Sequence, residues 1–128
     1  MNMATIKSFT SLEQSRKLAE ILPLESADMY YSHEFVNSAG DYYKINIASE
    51  GHFDDKELLG SDIPAWSLAA LLSVLPETVR LVGTSKDSYW YCECVNGNNQ
   101  WYAGFGNADN PVDACAEIII KLHELKML

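Results

Sequence analysis

Residues 88–105 constrain the fold more than any other stretch. Tyr89-Trp90-Tyr91-Cys92-Glu93-Cys94-Val95 and Gln100-Trp101-Tyr102-Ala103-Gly104-Phe105 are aromatic-rich runs, and the turn formers Asn96-Gly97-Asn98-Asn99 lie between them. This pattern predicts a β-hairpin. With an even-numbered turn, residues opposite one another share a face. Pairing Val95 with Gln100 sets Cys94 opposite Trp101, Cys92 opposite Ala103 and Trp90 opposite Phe105, and that face has the chemistry of a core. The other face carries Tyr89, Tyr91, Glu93 and Tyr102. Tyrosine combines a large area with low rotamer entropy and a polar tip, so these four residues form a candidate binding surface. Tyrosine is also a favoured strand residue, and cross-strand Tyr pairs stabilise sheets that bind nothing.

Three helices are expected around this hairpin. Residues 10–22 open with Thr10 and Glu13 at capping-box spacing, place Leu12, Ala19 and Leu22 on one stripe, and stop at Pro23. Residues 64–75 begin with Pro64, with Asp62 nearby as a cap, and end before Pro76; Trp66, Leu68, Leu71, Leu72 and Leu75 cover much of the circumference. The last helix starts at Asp109-Asn110-Pro111 and buries Val112, Cys115, Ile119 and Leu122, with Ile118 and Leu125 broadening the stripe. Glu117 and Lys121 have the spacing of an i,i+4 pair, and Lys126 suits the negative end of the helix dipole.

Between the first two helices, residues 28–36 and 41–48 read as strands around the turn Asn37-Ser38-Ala39-Gly40. Tyr43, Ile45 and Ile47 alternate with Lys44 and Asn46. Residues 78–82 form a further strand, with Val79 and Leu81 facing one way and Arg80 the other, and residues 83–87 a loop. The expected fold is α+β: one antiparallel sheet of about five strands with three helices, in the order α-β-β-α-β-β-β-α, within a single domain over residues 1–128. Leu18-Ala19-Glu20-Ile21-Leu22-Pro23 and Leu71-Leu72-Ser73-Val74-Leu75-Pro76 echo each other. Leu-Pro is a common helix ending, so the echo reads as coincidence before it reads as duplication.

Composition narrows the partners. The 128 residues carry a net charge of −9, and 48% of them are hydrophobic, which is enough for a core and too apolar for disorder. An acidic chain is a poor match for a phosphate backbone or an anionic membrane, so neither nucleic acid nor membrane is an expected partner. Three cysteines, the absence of a signal-peptide pattern in the first seven residues and the lack of a long apolar run fit the cytoplasm. The charge concentrates in residues 49–62, where Glu50, Asp54, Asp55, Glu57 and Asp62 face a single Lys56, a local charge of −4. With His52, this acidic loop is a second candidate site, although a solvated connection has the same composition.

Catalytic and metal signatures do not emerge. Cys92 and Cys94 alternate on a strand, about 6.6 Å apart at Cα, long for a disulfide. No further Cys or His stands beside them at zinc-ligand spacing, and buried structural thiols are the commoner state. His33 and His123 are isolated, and the sequence around His52 lacks a calcium-loop pattern. Gly104-Phe105-Gly106 has no following Lys-Ser/Thr, so it makes no phosphate loop. No catalytic residue, metal or cofactor is expected.

Two segments carry a resemblance: Ile63-Pro64-Ala65-Trp66-Ser67-Leu68 followed by Leu75-Pro76, and Asp109-Asn110-Pro111-Val112-Asp113-Ala114-Cys115 followed by Lys121-Leu122-His123-Glu124-Leu125. They resemble small proteins encoded by bacterial phages and integrated mobile elements, over about the second half of the chain. The resemblance implies a setting, the cytoplasm of an infected or lysogenic bacterium, and brings no catalytic signature. The leading expectation is a non-enzymatic interaction module that binds an unidentified protein or a second copy of itself. The alternatives are an acidic decoy of a DNA-binding protein and an enzyme using Cys92, Cys94, Cys115 or His52.

Overall fold

The computed structural model describes residues 7–36, 40–48, 62–84, 89–95, 101–126 and 128, of which 34–36, 40–42, 84, 89, 95 and 101–107 are described by backbone alone. The elements run α1 (Leu12–Ala19), a 3-10 turn (Leu24–Ser26), β1 (Met29–Val36), β2 (Gly40–Ile47), β3 (Ile63–Ala65), α2 (Leu68–Val74), β4 (Val79–Thr84), β5 (Tyr89–Val95), β6 (Trp101–Ala108) and α3 (Pro111–Glu124). The α+β class and the three helices match expectation. The single five-stranded sheet does not: the strands form two antiparallel three-stranded sheets, ordered β2-β1-β3 and β4-β5-β6.

The added strand is β3, taken from the start of the expected second helix. Pro64 lies in this short strand opposite Tyr30 and is buried there. A proline is tolerated in a short edge strand because it gives up no internal ladder bond. The helix therefore begins later, capped by Ser67, whose side chain accepts from the Ala70 N–H at 3.2 Å. Asp28 in turn accepts from the Ser67 N–H at 2.8 Å and from its hydroxyl. Asp62 does not cap this helix.

The first helix is also capped one residue later than expected. Ser11 and Gln14 form the capping box, with Gln14 N–H to Ser11 Oγ at 3.2 Å and Ser11 N–H to Gln14 Oε1 at 2.9 Å. Thr10 is pulled into the interior instead. Its N–H donates to the Trp66 carbonyl at 3.0 Å, and its hydroxyl accepts from the Trp66 N–H at 3.1 Å and pairs with Ser15 Oγ at 2.7 Å. Thr10 and Ser15 are both fully buried, so these bonds satisfy groups with no access to water.

α3 follows its signals closely. Asn110 caps it by accepting from the Asp113 N–H at 2.8 Å, and Pro111 occupies the first turn. Val112, Cys115, Ile118, Ile119 and Leu122 are buried against Cys92 and Cys94 of β5, Trp66, and Leu71 of α2. Leu125 lies beyond the helix end and is exposed, so it does not extend the stripe. Lys121 approaches Glu124, at 4.0 Å, and Lys126 adopts a left-handed φ of 60° with its N–H bonded to the His123 carbonyl.

The core draws on α1, α2, α3 and the second sheet, and among the described side chains none from β1 or β2 belongs to it. The two sheets also differ in path, since β4-β5-β6 is a meander and β2-β1-β3 is not. The echo between the two Leu-Pro helix ends is therefore not matched by a repeated topology.

Candidate functional site

The hairpin register differs from the expected one. Cys94 pairs with Ala103, Cys92 with Phe105 and Glu93 with Gly104, two residues further along β6 than anticipated. A shift of two preserves parity, so Cys92 and Cys94 still point into the core, where both are fully buried. Irregularities between Trp90 and Cys92 and between Cys94 and Val95 each place one extra residue in β6; Tyr102 is one of these. Residues 83 and 84, expected in a loop, extend β4 instead, with Gly83 opposite Trp90 and Thr84 opposite Tyr89.

α3 packs on β4, β5 and β6 and covers the cysteine face of this sheet. The opposite face presents Arg80 and Val82 from β4 with Tyr91 and Glu93 from β5. Arg80 stands opposite Glu93, and Val82 opposite Tyr91. The Arg80 Nε–H donates to Glu93 Oε2 at 2.8 Å, and the Tyr91 hydroxyl donates to Glu93 Oε1 at 3.3 Å. The Arg80 side chain is 67% exposed and that of Glu93 only 16%. Both carboxylate oxygens are thus engaged, one by a half-buried phenol and one by an open guanidinium, in a polar array held on adjacent strands.

The structure therefore brings together two of the four expected residues, Tyr91 and Glu93. Tyr89 and Tyr102 are placed by backbone on β5 and β6, and their side chains lie outside the described residues. So do Glu50, His52, Asp54, Asp55 and Glu57 of the acidic loop. The residue missing from the expected site is Arg80. Alternation already turned it away from Val79 and Leu81, but only the β4–β5 pairing makes it the counter-ion of Glu93.

A second feature joins the chain's ends. Asp113 of α3 accepts from Lys7 Nζ at 2.6 Å, Gln14 Nε2 at 2.7 Å and Asn110 Nδ2 at 2.7 Å. Burial disfavours its charge, but the hydrogen bonds from Lys7, Gln14 and Asn110 and the Lys7 charge outweigh that and hold the carboxyl below its ordinary range. Beside this knot, α1 and α3 border an open cleft of about 480 Å³. Glu13 and Lys17 of α1 line it together with Asp109 and with Asp113, Ala116, Glu117 and Ile120 of α3.

The thiols take no part in either surface. Cys92, Cys94 and Cys115 form no disulfide and are fully buried. The Cys92 thiol lies 3.7 Å from the Ala114 carbonyl, and its hydrogen bond with Cys115, together with burial, pushes its pKa far up. Among the described residues no group of three His, Cys, Asp or Glu side chains is arranged to hold a metal ion. His33 leans on the Tyr43 ring at 5.3 Å, and His123 is exposed near the end of α3. Among the described residues no helix is long and apolar enough to cross a membrane. Comparison with protein-family models, with curated proteins and with solved structures finds no match to this chain.

Proposed function

We propose that this chain is a non-enzymatic protein-interaction module of phage or mobile-element origin, working in the bacterial cytoplasm through the face of the second sheet that α3 leaves uncovered. The observation that supports this reading is the Arg80–Glu93–Tyr91 array, held by a paired carboxylate on adjacent strands. A surface of this kind offers an exposed guanidinium and an aromatic ring with little ordering left to do on binding, and Arg and Tyr are prominent among residues that dominate interface energetics. Burial of all three thiols speaks against a cysteine nucleophile, which needs an accessible thiolate.

The test is affinity capture from bacterial lysate by the parent and by Tyr91→Ala and Arg80→Ala variants whose fold is checked by circular dichroism. The module reading expects a stoichiometric protein that the parent retains and the folded variants lose. Equal capture by all three proteins would move the site elsewhere. A second reading, an acidic decoy of a DNA-binding protein, draws on the carboxylates of the α1–α3 cleft. It expects capture that weakens steeply with salt and is lost on Glu117→Lys, because charge-dominated contacts are screened.

A further inference from the structure

The first sheet has one edge that the fold does little to protect. Sheet edges invite pairing, and natural proteins blunt them with short strands, prolines or bulges. β3 is three residues long and contains Pro64, and its continuation bonds to residues 8–10. β6, an edge of the second sheet, carries two irregularities. β2 has neither device. It runs for eight residues in unbroken register with β1, from Met29 opposite Ile47 to Val36 opposite Gly40, and among the described residues no strand pairs with its outer side.

The ladder shows which backbone groups of β2 point outward. Ala48 N–H donates to the Asp28 carbonyl at 2.9 Å, so 28/48 is a hydrogen-bonded pair. Antiparallel pairs alternate, so Asn46 and Lys44 bond to β1, while the N–H and C=O of Tyr43, Ile45 and Ile47 face away from it. These three residues also share one side-chain face. Ile47 on that face is 82% exposed, more than any other large hydrophobic residue described, and Tyr43 is 38% exposed.

We propose that β2 pairs antiparallel with β2 of a second copy of this chain, joining two three-stranded sheets into one of six strands. The register follows from the residues. Outward groups must meet outward groups, and a two-fold axis through the Ile45 pair sets Tyr43 opposite Ile47 of the second copy and Ile47 opposite its Tyr43. Lys44 then lies opposite Asn46. Moving the register by two to pair Tyr43 with Ile45 would bring Lys44 against Lys44, a like-charge contact that destabilises the pair. The strand holds one aspartate and one lysine in a chain of net charge −9, so two acidic molecules meet along a locally neutral strip. The occupant is a second copy because this apolar row is complementary to itself. The interface is independent of the second sheet and does not rest on Tyr91.

Sedimentation velocity across micromolar to millimolar concentrations tests this on the full chain. The parent is expected to dimerise. Ile45→Pro, which removes an outward donor and no bond to β1, is expected to be monomeric. Ile47→Lys is expected to weaken the dimer at least about ten-fold. Leu72→Lys, on α2, and Tyr91→Ala are expected to leave it unchanged. In parallel, amide exchange is expected to slow at Tyr43, Ile45 and Ile47 as concentration rises, a readout that stands even if the proline variant fails to fold. A monomeric parent, a dimer that survives Ile47→Lys unweakened, a dimer lost in Tyr91→Ala, or amides whose exchange ignores concentration would each overturn the proposal.

Discussion

The ring of Trp90 fills the space directly above Gly83, its cross-strand partner in the second sheet. A Cβ built on Gly83 would lie 2.4 Å from Trp90 Cζ3 and 2.5 Å from Cε3, so the indole and any side chain at position 83 exclude each other. The glycine lets an aromatic residue cross the strand pair at van der Waals distance. Gly83→Ala should force the stiff indole out of place and destabilise the protein by about 1–3 kcal/mol, the range for overpacking a well-filled site. Urea denaturation followed by tryptophan fluorescence measures this, and a variant as stable as the parent would show that the indole shifts freely.

Thr10 ties the start of α1 to the Trp66 backbone. Thr10→Val keeps the shape but leaves the Trp66 N–H and Ser15 Oγ without their buried partner. The expected loss is about 1–3 kcal/mol, the penalty for a buried polar group left unsatisfied. Thr10→Ser, which retains the hydroxyl, should lose much less. A Thr10→Val variant that loses no more than Thr10→Ser in chemical denaturation would show that the hydroxyl is not what the site depends on.

The Asp113 knot gives stability an acid dependence. Its carboxyl titrates below the ordinary range in the folded chain, so the unfolded chain takes up the proton first as pH falls. The stabilisation is therefore complete above the unfolded value, about pH 3.9, and is lost as pH drops through the lower folded value. Asp113→Asn should be less stable than the parent at pH 7, with the difference shrinking by pH 3. Denaturation midpoints that stay equally separated at the two pH values would assign the loss to packing.

Thiol chemistry should report the fold. Cys92, Cys94 and Cys115 are sealed in the core, and only a thiolate reacts quickly. An aromatic disulfide reagent at neutral pH should therefore label the native protein slowly and all three cysteines promptly in denaturant. Fast labelling of one native thiol would indicate local opening of β5 or α3.

Much of this architecture is legible in the residues because its causes are local. Pro23 and Pro76 lie just beyond α1 and α2, Asn110-Pro111 begins α3, and the alternation of Trp90, Cys92 and Cys94 identifies the buried face of β5 whatever the register. Each of these depends on bonds or sterics within a few positions. The sequence by itself also determines the acidity. What only the tertiary structure decides is long-range pairing. Thr10 and Ser11 are almost equally suited to cap α1, and the backbone of Trp66, 56 residues away, claims Thr10. Pro64 fits a helix start or a short edge strand, and β1 selects the strand. Arg80 becomes the partner of Glu93, and Lys7 that of Asp113 across 106 residues, only after the sheet and helices have assembled. The division into two sheets belongs to the same class. Strand propensity is a property of each segment, whereas the choice of neighbour is made by which edges are brought together when the helices bury their apolar faces.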